Sequence, residues 1–244
     1  MKKFNPNGRI LWQGKSPFNG DPIVCIVTGL TESTSNSKTG EGLLQTWILH
    51  QNIKPNEAFK IKELGEAVCG DCPHALYNSP KDNGFAPCYV RTYHAPRSVW
   101  ECWKNGNGYA PIGNDWDLLR NKGLRLGSFG DPAMVDIAVW QKAFKEVYFD
   151  AKPRERRHTG YTHQWRKPFA KGLKGLVMAS ADGMRDYIEA TADGWTPFLV
   201  RKATDEAPKD AIVCPASAEA GRKVTCSDCH TCNGSTKAVV IINH

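Results

Sequence analysis

The chain has 244 residues, enough for a large domain that buries its own core without cross-links. Hydrophobic residues make up 41% and charged residues 23%, which argues against a disordered polyelectrolyte, and no run of eighteen apolar residues exists to cross a bilayer as a helix. A net charge of +7 with eight tryptophans suits a polyanionic partner, and suits a solvated basic face equally well.

Residues 1–6 lack the apolar centre of a signal peptide, so the expected compartment is the cytoplasm. Residues 1–20 are polar and rich in Gly, Pro and Asn, and are expected to form an irregular arm anchored by Trp12. A core spanning 21–213 should follow, and then a cysteine-rich segment with a closing strand over 214–244. Residues 22–28 are apolar and β-branched, as in a buried strand. The polar loop over 31–42 could offer hydroxyls, amides and Lys38 to an anion, but the order of a P-loop is absent. Residues 45–50 predict a second strand, 55–65 a short helix, and 98–104 a helical stretch turning Trp100 and Trp103 inward. A turn-rich break over 106–113 leads to a strand at 124–128.

The spacing of Ile137, Trp140, Phe144 and Val147 predicts a helix over 135–148. A basic connector, 152–157, precedes a strand at 158–163, and 167–175 returns the chain to another at 176–180. Asp182 and Gly194 have the character of the N-cap and C-cap glycine of a helix between them. Short strands are expected at 198–201, 211–214 and 237–242. Alternation of strands with helix-length connectors predicts an α/β fold, a partial or complete (β/α) barrel of mainly parallel strands with cysteine-rich metal-binding loops.

Nine cysteines in a reducing compartment are read by their grouping. Cys25 and Cys102 lie in apolar or aromatic surroundings and are expected to pack. Cys214, Cys226, Cys229 and Cys232 supply four thiolates, enough for tetrahedral zinc or a cubane iron-sulfur cluster. His230 could replace one thiol, but reads more simply as an exposed spacer. Cys69, Cys72 and Cys88 are only three. On a [4Fe-4S] cluster they would leave one iron open, whereas structural zinc would need a fourth ligand such as His74 or His94.

The order of these motifs resembles that of radical S-adenosylmethionine enzymes. Three cysteines ending in Cys88-Tyr89 precede a strand ending Gly130-Asp131-Pro132, one ending Tyr161-Thr162-His163, and one ending Ser180-Ala181-Asp182-Gly183. In that family the cysteines hold the cluster, a Gly-Glu-Pro type motif meets the cofactor's amino group, and an auxiliary cluster is common near the C-terminus. The spacing departs from CxxxCxxC, and Asp131 stands where the family has glutamate. The whole chain also resembles a group of uncharacterised bacteriophage and prophage proteins. They share Asn36 to Gly40, Cys69-Gly70-Asp71-Cys72, Cys88-Tyr89, Gly130-Asp131-Pro132, Thr159 to His163 and the terminal cysteine block. Host cytoplasm is then the expected location.

The resemblance implies an iron-sulfur cluster with S-adenosylmethionine as cofactors. Gly130, Asp131 and Pro132 would bind the cofactor, and Asp131, His163, Ser180 and Asp182 would line a catalytic site acting on a nucleotide, nucleic acid or related small molecule. Each residue has a plainer reading: N-caps for Asp131 and Asp182, packing for Ser180, and a satisfied strand-end histidine for His163. Two other functions fit the sequence. One is a 7-deazaguanine transglycosylase-like enzyme modifying DNA bases, with structural zinc and Asp131 or Asp182 as nucleophile. The other is a non-enzymatic zinc protein that binds DNA. Arg154, Arg156, Arg157, Trp165, Arg166 and Lys167 are the candidates for nucleic-acid contact.

Overall fold

The computed structural model describes residues 4–32, 39–78, 88–105, 108–150 and 157–242. Strands β1 (Gly8–Lys15), β2 (Pro22–Thr28) and β3 (Leu43–His50) form an antiparallel meander. Helices α1 (Pro55–Ala58), α2 (Lys62–Cys69) and α3 (Ala95–Lys104) follow, with the short strand β4 (Ala110–Pro111) after them. The chain then runs through β5 (Gly123–Phe129), α4 (Ile137–Val147), β6 (His158–Thr162), β7 (Met178–Ala181), α5 (Met184–Ala192) and β8 (Pro197–Arg201). It closes with β9 (Ile212–Val213), α6 (Cys226–Cys229) and β10 (Val239–Ile242).

All ten strands belong to one sheet in the order β4-β1-β2-β3-β5-β6-β7-β8-β10-β9. From β3 onward every ladder is parallel. Leaving aside the two-residue edge strands β4 and β9, each strand lies beside its predecessor. This is therefore a mixed α/β fold built on a mainly parallel sheet. Strands β2 and β3 are buried on both faces, which is why their apolar runs barely alternate.

Register fixes which side chains share a face. Arg125 pairs with both Gln45 and Thr159, and Tyr161 pairs with Met178. Thr159 and Tyr161 are two residues apart, so this row points to one side of the sheet. His158 points to the other side, where its ring meets Phe144 of α4. Met178, Tyr161, Phe198, Val239 and Ile241 form one apolar cluster, while Ala181, Leu199 and Val240 pack with Tyr187 of α5 on the opposite face.

Two expectations are corrected. Residues 8–15 are not part of an irregular arm but a strand that pairs along β2 and buries Ile10 and Leu11. Asp182 does not cap α5: Gly183 occupies the N-cap, and the Asp182 carboxylate is drawn away by two histidines. Asp131 does cap, accepting from the Ala133 amide at the start of the 3-10 turn Pro132–Met134.

Candidate metal and active site

Helix α2 ends at Cys69, and Gly70 turns the chain at φ +60. A Cβ at Gly70 would sit 2.4 Å from the Gln164 amide carbon, so the turn needs glycine. Gln164 Nε2 donates to the Cys69 carbonyl at 3.2 Å, while Tyr77 Oη donates to the Gly70 carbonyl at 2.7 Å and Asn78 Nδ2 to that of Cys72 at 3.1 Å. The Gln164 bond holds the Cys69–Cys72 turn against the end of β6, and the other two close the turn on residues that follow it. The amide of Cys88 donates to the His74 carbonyl at 2.8 Å, which returns the third cysteine to the other two.

The carboxyl-terminal ends of β5, β6 and β7 complete the site. At the first, Gly130 has φ +84, and a Cβ there would lie 2.6 Å from that of Ile48. Asp131 is buried and accepts from Ala133 N at 2.9 Å, Thr162 Oγ1 at 2.7 Å and His163 N at 2.9 Å. Burial raises its pKa against those donors. Its carboxylate thus braces the loop after β6.

His163 sits between the cysteines and Asp182. Its Nδ1 lies 3.5 Å from Cys72 Sγ, and its Nε2 lies 3.4 Å from Asp182 Oδ2. The other carboxylate oxygen is 2.7 Å from His74 Nε2. Burial would depress the His163 pKa, but Cys72 and Asp182 outweigh it and hold it well above the ordinary range. Burial likewise opposes ionisation of Asp182, and the two histidines reverse that, lowering its pKa. Burial pushes the Cys69 and Cys88 thiols up, and Cys72 adds to both shifts. A metal would have to displace their protons.

A cavity of about 290 Å³ opens beside this group, lined by His163, Ser180 and Asp182 together with Asp71, Trp165 and Lys167. Trp165 is buried, and its Nε1 donates to the Ser180 carbonyl at 3.0 Å. That contact, with Ser180 on the strand, sets the cavity wall.

The second cysteine set lies toward the other end of the strands. Cys214 follows β9, its amide bonded to the Val240 carbonyl. Cys226 and Cys229 are one turn apart on α6, which Thr225 and Asp228 cap reciprocally. The carbonyl of Cys232 accepts from Gly160 N at 3.2 Å. The thiol of Cys232 meets the Tyr161 hydroxyl, and burial pushes it up to about 12. The same segment crosses the starts of other strands. Ser227 N donates to the Thr39 carbonyl just before β3, and Thr196 Oγ1 donates to the Gly234 carbonyl just before β8. His230 is not an exposed spacer: it is half-buried in the left-handed region, and its Nδ1 is buried without a partner.

Among the described residues, the basic candidates do not form one surface. Arg154 and Arg156 lie outside the described residues. Arg157 borders a cavity of about 270 Å³ beside Lys122 at the amino-terminal ends of the strands. Arg166, by contrast, stacks on Trp165 and pairs with Asp186 and Glu189, and Lys167 pairs with Asp71 at 2.7 Å. His94, the other histidine considered as a zinc ligand, is exposed beside Tyr93. Sequence reasoning missed the pairing of His74 with Asp182 and the role of Gln164. The position of His74, two residues after Cys72, was the one available signal. Compared with protein-family models, curated proteins and solved structures, the chain shows no match.

Proposed function

We propose that this chain is a metalloenzyme of the radical S-adenosylmethionine type, of the phage kind that the sequence resembles, acting on a nucleotide, nucleic acid or related small molecule. The observation that carries the reading is the winding. Three cysteines follow β3, Gly130-Asp131-Pro132 follows β5, His163 follows β6, and Ser180 and Asp182 end or follow β7, with these four parallel strands adjacent and in sequence order. Crossovers of the usual right hand between successive neighbours would put the helices on one face, and a sheet covered that way would curve toward a partial (β/α) barrel with its chemistry at the carboxyl ends.

The number of thiols supports an iron-sulfur cluster: three thiolates leave one iron of a cubane open, whereas a structural zinc would need a fourth ligand. Three thiolates with one open iron would supply reductive cleavage of the bound sulfonium. The chain's own part is to hold and shield. Gly130 lets the β5 end approach Ile48 and Val68, Asp131 fixes the loop carrying His163, and Ser180 and Asp182 face the cavity where a substrate would sit.

Anaerobic purification with counts of iron, sulfide and zinc per chain tests this. About four or more irons per chain with matching sulfide, about four of them lost in Cys72→Ser, and turnover of S-adenosylmethionine with an added one-electron reductant are expected. A colourless protein with zinc and no sulfide would overturn it, leaving the zinc-containing transglycosylase-like or DNA-binding roles.

A further inference from the structure

Beside the three thiols, His74, His163 and Asp182 bring one ligand atom each to within 4.8 Å of the others. The histidines come from different connections, one after Cys72 and one after β6, yet both turn Nε2 toward the same carboxylate, at 2.7 and 3.4 Å. Ligands at about 2.1 Å from a shared metal ion stand roughly 3 to 3.4 Å apart, so the 3.4 Å contact already suits a common ion and the 2.7 Å contact need open by only a few tenths of an ångström.

The hydrogen bonding around His163 sharpens the point. Cys72 Sγ lies 3.5 Å from Nδ1, the position from which a ligating histidine donates its second N–H. With Nδ1–H kept by Cys72, loss of the Nε2 proton would leave a lone pair aimed at the carboxylate, so a divalent ion would replace the protons that otherwise join the histidines to Asp182 and would draw on all three groups at once. Two imidazoles with one carboxylate also form the donor set that takes divalent first-row ions while leaving positions open. Here the open side is the cavity that His163 and Asp182 line.

We propose that His74, His163 and Asp182 hold a divalent first-row metal ion, separate from whatever the three cysteines bind and joined to them through the His163 ring. This site does not depend on the identity of the thiol-bound group. Its open positions would take an oxygen- or nitrogen-bearing substrate group in the cavity.

The test is Mn²⁺ binding to the full-length reduced chain in metal-free buffer, followed by loss of the free-ion electron paramagnetic resonance signal. Mn²⁺ favours carboxylate and imidazole over thiolate, so it reports this site and not the cysteines. One Mn²⁺ per chain is expected, with affinity falling at least ~10-fold in His74→Gln and in Asp182→Asn. Cys88→Ser should lose iron yet keep Mn²⁺ affinity within about twofold, which separates this site from the cluster reading. Absence of Mn²⁺ binding to the wild-type chain up to about 1 mM, or equal binding in wild type and both ligand variants, would overturn the proposal. Should Asp182→Asn disturb the circular dichroism spectrum, His74→Gln decides alone.

Discussion

His50 ends β3, and its ring Nδ1 accepts from the amides of Asn52 and Ile53 at 3.1 and 3.2 Å. The turn into α1 therefore requires a lone pair on that nitrogen, and protonation removes it. Burial lowers the His50 pKa, and although Asp21 pulls the other way the net direction is down. A histidine with a depressed folded-state pKa contributes stability above its unfolded value of about 6.5 and loses it as pH falls toward the folded value. Urea midpoints across that window should fall with pH, this residue contributing at most about 1.4 kcal/mol per pH unit. In His50→Gln, whose amide oxygen can still accept, the slope should be shallower by that share. Equal slopes in the two proteins would show that His50 titrates alike folded and unfolded. Site residues obey the same local logic. Asp131 has three donors and is held, whereas Asp182 has two histidine partners and is positioned, a difference that the shared N-cap signature conceals.

Most elements were legible from periodicity and punctuation, because the residues that form them face one environment. The run Ile23-Val24-Cys25-Ile26-Val27 is buried from both sides and could only be a central strand. Helix α4 buries Trp140, Phe144 and Val147 along the expected stripe. Strand β1 was not legible. Arg9, Gln13 and Lys15 make the stretch look polar, and a bulge between Ile10 and Trp12 breaks its alternation. Its pairing has a consequence for truncation. An irregular arm could be removed at little cost, but deleting residues 1–15 strips the β2 edge and uncovers the core that Ile10 and Leu11 fill. Such an exposed apolar edge templates association. The truncated chain is expected to elute as aggregate in gel filtration. A soluble monomer with the native far-ultraviolet spectrum would mean that β1 adds nothing essential. At the site, the cysteine sets and the strand-end motifs were readable because their residue types are few and clustered. The convergence of His74 on Asp182, 108 residues apart, was not, since it depends on strand order.

Across the whole molecule, the two cysteine sets lie toward opposite ends of the sheet, and β6 touches both through Tyr161 near Cys232 and His163 near Cys72. The connection from β9 to β10 reaches Thr39, Gly160, Val177 and Thr196, so it ties the starts of β3, β6, β7 and β8 together. Gly234 is the tightest point of that seat. Its φ is +77, and a Cβ would stand 2.5 Å from both the amide nitrogen and the carbonyl oxygen of Val177, where neither backbone can yield cheaply. Gly234→Ala should therefore lift the segment from the sheet and cost about 2–4 kcal/mol, from left-handed strain together with overpacking. For a chain of this size that lowers the thermal midpoint by roughly 4–16 °C. The location of the damage can be read from the thiols. Alkylation followed by mass spectrometry should show Cys214 and Cys232 labelling faster in the variant, since both belong to this segment and pack against the sheet. Cys69, held by α2 and Gln164 at the far end of the strands, should keep its wild-type rate. Faster labelling at all three would mean that the fold opens as one unit. Unchanged rates at Cys214 and Cys232 would show that Gly234 does not hold the segment in place.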